Sequence, residues 1–105
     1  MNRKKLVTEM GRISGDDFRK AEKLPLVVVL DNVRSLHNVG SVFRTSDAFR
    51  VQKIVLCGIT ATPPNTEIHK TALGAEDVVE WQYFQSTDEA VAMLREEGYR
   101  IYSIE

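Results

Sequence analysis

Apolar and polar residues follow two alternating patterns along most of this chain. Short apolar runs of strand length are separated by segments in which apolar residues recur every three or four positions, as in amphipathic helices. The predicted strands are residues 24–30, 53–57, 78–81 and 99–104. The predicted helices are residues 39–49 and 66–73, and a third that follows the capping box of Ser86 and Glu89. Strands that alternate with helices form a parallel sheet with right-handed crossovers, so the pattern predicts an α/β fold with a parallel, Rossmann-like sheet and flanking helices.

Residues 1–23 do not share this alternation. Leu6, Val7 and Met10 make a small apolar stripe at helical spacing, and a glycine follows it directly. We predict a basic N-terminal arm with weak helical segments over residues 1–23, followed by an α/β domain over residues 24–105. The cations of the arm either hold phosphates or keep the arm soluble, and the sequence favours neither interpretation.

The loop after the first predicted strand is the strongest candidate for a binding site. It leaves the carboxyl end of a strand, where ligands of open α/β sheets bind. Asn38 is predicted to be the N-cap of the next helix, and Gly40 in the first turn would let another molecule approach the backbone. Arg44, one turn further on, would lean back over Gly40 and Ser41. Free N–H groups, the helix dipole and a guanidinium together favour an anion or an oxygen-rich ligand.

Two motifs in this chain resemble those of a known family. The first is similar to the leading motif of the SpoU (TrmH) RNA ribose methyltransferases of the SPOUT superfamily: Asn38-x-Gly40-x-x-x-Arg44-Thr45, preceded by Asp31-Asn32-Val33-Arg34-Ser35. The second resembles the segment ahead of their third strand: Lys70-Thr71-Ala72-Leu73-Gly74-Ala75-Glu76. The resemblance extends from about residue 24 onward and identifies the chain as the N-terminal part of such a domain. Two later family motifs, which tie the knot and form most of the S-adenosylmethionine pocket, have no counterpart here, so we expect a partial sequence without the knot-forming part.

The resemblance implies methyl transfer from S-adenosylmethionine to a ribose 2′-hydroxyl of tRNA or rRNA, by a homodimer. It implies these site residues: Arg44 and Asn38 as catalytic residues, Arg34, Ser35, Gly40, Ser41 and Lys70 as RNA-binding residues, and Ser103 and Ile104 at most at the rim of the cofactor pocket. Arginine stays protonated in proteins, so Arg44 is expected to hold a phosphate and stabilise a developing alkoxide rather than to remove a proton. His37 is a second candidate base, but the motif does not require it.

Charge and composition limit which partners and which kinds of site this chain is expected to have. The net charge of −1 conceals 11 Lys/Arg against 6 Asp/Glu in residues 1–53, and 3 against 9 in residues 54–105. The basic half carries the candidate loop, which suits RNA as a partner. Cys57 is the only cysteine and lies in a predicted strand, so we expect a small buried residue rather than a nucleophile. We expect no metal site and no membrane span, and we place the protein in the cytoplasm.

Two other classes stay open at this point. A non-catalytic RNA-binding or partner-binding α/β module would explain why the later motifs are missing. A phospho-receiver domain is weaker, because receivers need an acidic cluster at the strand ends and only Asp31 stands there. The sequence does not identify the target RNA or the target nucleotide.

The 105-residue chain by itself is expected neither to bind S-adenosylmethionine measurably nor to methylate RNA. The reason is that the resemblance places most of the adenosine pocket after Glu105. Calorimetric titration with S-adenosylmethionine, together with a tritiated-methyl assay on unmodified tRNA and rRNA, checks this expectation. Micromolar binding or catalytic incorporation of label would place the cofactor site within these residues.

Overall fold

The backbone of residues 4–10 and 23–104, and the side chains of residues 23–101, are described by a computed structural model. The strands in this part of the chain are β1 (Lys4–Met10), β2 (Leu24–Asp31), β3 (Val51–Cys57), β4 (Trp81–Phe84) and β5 (Tyr99–Ile104). The α-helices are α1 (Leu36–Ala48), α2 (Thr66–Ala72) and α3 (Thr87–Glu96), and a short 3-10 helix covers Ala75–Asp77.

One mixed sheet contains these strands in the order β4-β3-β2-β1-β5. Strands β2, β3 and β4 are parallel, which confirms the predicted α/β class with a parallel sheet and flanking helices. Strand β1 runs antiparallel between β2 and β5, with Val7 opposite both Val28 and Tyr102. Since β1 is antiparallel to both neighbours, β5 has the same direction as β2.

The helical interpretation of Leu6, Val7 and Met10 is wrong, because these residues lie in β1. A short stripe with weak helical preference has little local stability, and pairing with two neighbouring strands outweighs that preference. The division into an arm of residues 1–23 and a following domain stays a prediction, although β1 itself belongs to the sheet. Residues 1–3, 11–22 and 105 lie outside the described residues, as do the side chains of β1.

Side chains of β2 and β3 alternate between the two faces of the sheet, as the period of two requires. On one face, a core cluster joins the strands to α1 and α2: Leu30, Ile54, Leu56, Val39, Phe43 and Ile68. On the other face, a second cluster joins them to α3: Val27, Val29, Val55, Cys57, Ala90 and Leu94. All of these side chains are fully buried, and burial stabilises the fold by roughly 1.5–3 kcal/mol for each large one. The result is a three-layer α/β/α arrangement.

The third predicted strand is displaced along the chain. It was expected over residues 78–81, but β4 begins only at Trp81, and Val78 is 67% exposed. Leu73 (φ 53°) and Gly74 (φ 94°) take left-handed conformations that end α2 and direct the chain into the 3-10 helix. Val79 is buried in the core cluster beneath this turn. Two adjacent valines, Val78 and Val79, are typical of a strand, but here they lie outside one.

Strand β1 is hydrogen-bonded on both sides, so we expect Val7→Pro to lower the free energy of unfolding by roughly 3 kcal/mol or more. Proline removes a ladder N–H in the interior of a sheet. Val7→Ile keeps that N–H and the β-branched shape, and is expected to unfold near the wild-type midpoint. Urea denaturation followed by circular dichroism measures both variants. Equal midpoints for Val7→Pro and the wild type would contradict the position of β1.

Candidate functional site

The loops that leave β2 and β3 are joined by a single buried hydroxyl. Thr60 is only 3% exposed, and its Oγ1 accepts the N–H of Val33 at 2.9 Å. The same hydroxyl donates to the carbonyl of Leu30 at 3.3 Å. Because a hydroxyl is both donor and acceptor, one side chain fixes the chain on both sides of the point where β2 ends.

Asn32 makes a second connection between the same loops. Its backbone is left-handed (φ 52°), a conformation that asparagine tolerates better than most residues. Its side-chain Oδ1 accepts the N–H of Ile59 at 3.0 Å, and its own N–H donates to the carbonyl of Cys57 at 3.2 Å. A Cβ on Gly58 would lie 1.9 Å from Asn32 Oδ1, so this approach requires a glycine.

Helix α1 begins at Leu36, three residues earlier than expected, and its N-cap is Ser35. The Ser35 hydroxyl accepts the N–H of Asn38 at 3.1 Å. The prediction of Asn38 as N-cap is therefore wrong, and Asn38 lies in the first turn instead. Serine and asparagine are comparably good N-caps, and the contacts of Val33 just before Ser35 favour the earlier start. The assignments of Ser35 to RNA binding and of Asn38 to catalysis stay predictions.

Gly40 is buried where α1 crosses α2. A Cβ there would lie 1.9 Å from Thr71 Oγ1 and 2.4 Å from the carbonyl oxygen of Ile68. Thr71 also donates its hydroxyl hydrogen to the carbonyl of His37 at 2.9 Å. Close helix packing thus accounts for the glycine, which lies in the second turn rather than the first. Its assignment to RNA binding stays a prediction.

One face of α1 is directed away from the core. His37, Ser41 and Arg44 follow one another at spacings of four and three residues, so they share a face that we name the α1 stripe. His37 and Arg44 are exposed, and Ser41 is half-buried. Arg34, in the loop before α1, is also exposed.

The expected meeting of Arg44 with free N–H groups at the helix start is not what the structure shows. The first-turn N–H groups belong to residues 36–38, and that of Asn38 is bound by Ser35. A helix rises about 1.5 Å per residue, so Arg44 begins roughly 9 Å beyond Asn38. The α1 stripe therefore presents the Arg44 guanidinium beside the Ser41 hydroxyl and the His37 imidazole. It does not place the guanidinium over the helix terminus.

Lys70 lies on α2, next to the Thr71 that contacts the first turn of α1. Its Nζ pairs with Glu67 Oε1 at 3.0 Å, and both side chains are more than half exposed. Such surface pairs are weak, so a phosphate could take the place of the carboxylate. Asn65 caps α2, because its Oδ1 accepts the N–H groups of Glu67 and Ile68.

The groove at the carboxyl end of the sheet does not fit a nucleoside cofactor. A groove of about 380 Å³ lies at the carboxyl ends of β2 and β4, lined by Asp31, Asn32, Gln85, Ser86, Thr87 and Asp88. Its lining is polar and carries two carboxylates, with no apolar slot for an adenine ring, so it does not fit S-adenosylmethionine. Ser103 and Ile104 lie at the end of β5, opposite Leu6 and Lys5 of β1, and their side chains are outside the described residues. Their assignment to the cofactor rim stays a prediction.

Cys57 is fully buried at the end of β3, which confirms the prediction of a small buried residue. The pKa of its thiol is raised to about 11, chiefly by burial; a hydrogen bond with Thr87 lowers it and the charge of nearby Asp31 raises it. A thiol with so high a pKa is a poor nucleophile. In the part of the chain that the structure describes, no three His, Cys, Asp or Glu side chains could hold a metal ion together. No helix there is long and apolar enough to cross a membrane.

A second groove was missed by the sequence analysis. It has a volume of about 660 Å³ and lies between α2, the 3-10 helix and the start of β4. We name it the Trp81 groove, and its walls include Pro63, Pro64, His69, Glu76, Asp77 and Trp81. These residues come from separate segments of the chain, and of the whole lining only Lys70 was assigned to a site from the sequence.

Comparison with known proteins identifies the family. Residues 25–105 match the model of the SpoU rRNA Methylase family. The chain belongs to this family. It is 30% identical over 96 residues to the 23S rRNA (guanosine-2′-O-)-methyltransferase RlmB of Vibrio parahaemolyticus, covering 91% of this chain and 39% of the relative.

Two further relatives extend the comparison. RlmB of Pseudomonas aeruginosa is 34% identical over 62 residues, covering 59% of this chain and 25% of the relative. An uncharacterized tRNA/rRNA methyltransferase of Synechocystis is 29% identical over 92 residues, covering 83% of this chain and 23% of the relative. The SpoU family chain described here thus spans between a quarter and two fifths of the length of the RlmB relatives.

Gly40→Ala in this SpoU family chain is expected to lower the free energy of unfolding by roughly 1–3 kcal/mol, because a methyl group would meet backbone atoms of α2. Helix propensity alone would give the opposite sign. Ser41→Ala, at the next and half-buried position, is the matched control and is expected to change stability little. Guanidinium denaturation measures both; a stabilised Gly40→Ala variant would refute the close helix contact.

Proposed function

We propose that this chain forms the RNA-facing part of an S-adenosylmethionine-dependent enzyme that methylates a ribose 2′-hydroxyl of tRNA or rRNA. The observation that carries the proposal is the position of Arg44. Arg44 is exposed on the α1 stripe, and among the described residues it makes no hydrogen bond or ion pair. Within the described part of the chain Arg44 thus has no structural task, and we propose that its guanidinium binds the substrate.

The names of the relatives support this choice of substrate. Several are named 23S rRNA (guanosine-2′-O-)-methyltransferases, which favours a ribose hydroxyl of rRNA. Others are named tRNA/rRNA methyltransferases, so the proposal keeps both RNA classes. The protein would act in the cytoplasm, where these RNAs occur, and as a homodimer, as the family resemblance implies.

The proposed roles of Arg44 and Asn38 are those that the family resemblance implies. The cofactor, when bound, supplies a methyl group on a positively charged sulfur. Arg44 holds a phosphate next to the target ribose and stabilises negative charge that develops on the 2′-oxygen. Asn38, one and a half turns earlier on the helix, orients the ribose or the guanidinium. Both side chains start from a helix fixed at its N-cap and against α2, which limits the loss of entropy when the reacting groups are aligned.

The flanking cations are assigned to the RNA backbone. Arg34, in the loop before α1, and Lys70, on α2, are both exposed, and Thr71, the residue after Lys70, contacts the first turn of α1. Ser35, at the N-cap, and Ser41, on the α1 stripe, are assigned hydroxyl contacts to the RNA, and Gly40 allows α2 to lie close to α1. Ser103 and Ile104 are proposed at the rim of the cofactor pocket, whose remainder would be built by other parts of the family's domain.

In the protein as expressed from its own gene, Arg44→Ala is expected to reduce single-turnover methylation by a factor on the order of 10² or more. The melting temperature should stay close to that of the wild type, because Arg44 is exposed. The assay uses tritiated S-adenosylmethionine and unmodified tRNA and rRNA, followed by nuclease digestion to identify the methylated nucleoside.

Arg95→Ala is the matched control. Arg95 is an exposed arginine on α3, on the opposite face of the sheet from α1, and its loss should leave the rate within about twofold. Methylation by Arg44→Ala at a similar rate would remove Arg44 from the catalytic site. A product methylated on the base, or no product from the wild type, would refute the proposed reaction itself.

A further inference from the structure

The Trp81 groove has a rigid wall that the proposed methyl transfer does not use. Glu76 Oε2 lies 2.6 Å from His69 Nδ1, and Glu76 Oε1 accepts the N–H of Gly74 at 2.8 Å. Burial raises the pKa of Glu76, but the hydrogen bonds from His69 and Gly74 outweigh that effect, so its pKa is lowered overall. The ionised carboxylate thus ties α2 to the 3-10 helix and fixes the position of the next residue, Asp77.

Trp81 gives the groove an apolar part of its lining. The Trp81 side chain packs against the core cluster shared by α1 and α2, and it also lines the groove. Because this packing holds the indole ring, a planar ligand can stack on it without first ordering it. Pro63 and Pro64 add two further rigid rings to the lining. Stacking of a base on an aromatic side chain contributes roughly 1–3 kcal/mol.

The charge of the groove selects among planar ligands. Glu76 and Asp77 place two carboxylates in the lining, and Asp77 is exposed at the groove. At Asp77 a phosphate would be repelled, whereas a base edge that presents hydrogen-bond donors would be attracted; Lys70, in the same lining, offers the opposite charge. Guanine has two adjacent donors, N1–H and the N2 amino group, which match a carboxylate in pairs. Adenine and cytosine place an acceptor nitrogen beside their amino group, and uracil places its one N–H between two carbonyls.

We infer that the Trp81 groove binds an unstacked guanine of the RNA, with its ring on Trp81 and its N1–H and N2 amino group on the Asp77 carboxylate. The inference rests on the proposed function, because it assigns a second contact to the same RNA. The Thr71 hydroxyl joins α2 to the first turn of α1, so the groove and the α1 stripe are connected through one short helix. Lys70, which also lines the groove, then faces the backbone of the bound nucleotide.

Intrinsic fluorescence gives a direct test, because Trp81 is the only tryptophan in the chain. The chain is titrated with the 5′-monophosphates of guanosine, inosine and adenosine, and with the RNA trinucleotides UGU and UAU. Saturable quenching is expected with guanosine and with UGU. Quenching should be weaker with inosine, which lacks the N2 amino group, and should not saturate with adenosine or UAU over the same range.

Variants separate stacking from edge recognition. Asp77→Asn is expected to weaken UGU binding by about tenfold, which is the effect of losing a two-hydrogen-bond contact to a base edge. The variant should also lose the preference for UGU over UAU. Asp88→Asn, an exposed acid in the other groove, is the control and should bind as the wild type does. Trp81→Phe should weaken binding in fluorescence anisotropy with end-labelled UGU. Melting curves of each variant verify that it is folded.

The results of these experiments test the guanine assignment separately from the proposed function. Equal binding of guanosine and adenosine nucleotides, or an Asp77→Asn variant with unchanged affinity, would overturn the inference. Binding of guanosine monophosphate without binding of UGU would also overturn it, since it would indicate a free-nucleotide site. A guanine-specific signal in a protein that does not methylate RNA would instead refute the proposed function and leave the groove assignment standing.

Discussion

The buried hydroxyl of Thr60 fixes the loop that connects β2 to α1. Thr60 holds the carbonyl of Leu30 and the N–H of Val33 at once, in a place that water does not reach. Loss of this side chain would leave the buried N–H of Val33 without its partner, at a cost of about 1–3 kcal/mol. Asn32 repeats the connection at the surface. The start of α1, and with it the direction of the α1 stripe, depends on this pair of contacts.

The second constraint is the absence of a side chain. Gly40 lets α1 approach α2 until the space for a Cβ is taken by Thr71 and the backbone of Ile68. Since both helices also contribute to one core cluster, the α1 stripe and Lys70 on α2 are carried by a rigid unit. Functional groups on such elements keep their geometry better than groups on loops. The site therefore owes its order to buried contacts directly beneath it.

Much of this architecture could be predicted from the sequence. Strands β2 and β3 and helix α3 were predicted because their apolar residues repeat with clear periods, and the family was identified from a motif with fixed spacing. The N-cap of α1 was misassigned because Ser35 and Asn38 are both suitable and only the tertiary contact of Val33 decides between them. Strand β4 was displaced because left-handed residues at the end of α2 redirect the chain.

Other features depend on contacts between distant parts of the chain. Nothing local in Lys4–Met10 indicates a strand, because its partners are found in β2 and β5. The Trp81 groove likewise combines a proline pair, a helix, a 3-10 turn and a strand, and its shape exists only after these have packed. Local periodicity is informative about single elements and uninformative about such assemblies.

The antiparallel insertion of β1 has a consequence for how the nascent protein reaches this fold. Strands β2, β3 and β4 can be added one after another as each emerges from the ribosome, since each pairs with the strand made before it. Strand β1 is made earlier than these, yet its outer edge is paired only by β5, after the long intervening stretch has been synthesised. Closing so long a loop is slow, and an open strand edge can meanwhile pair with other chains. Until β5 has been made and has paired with β1, this edge therefore stays open to such contacts.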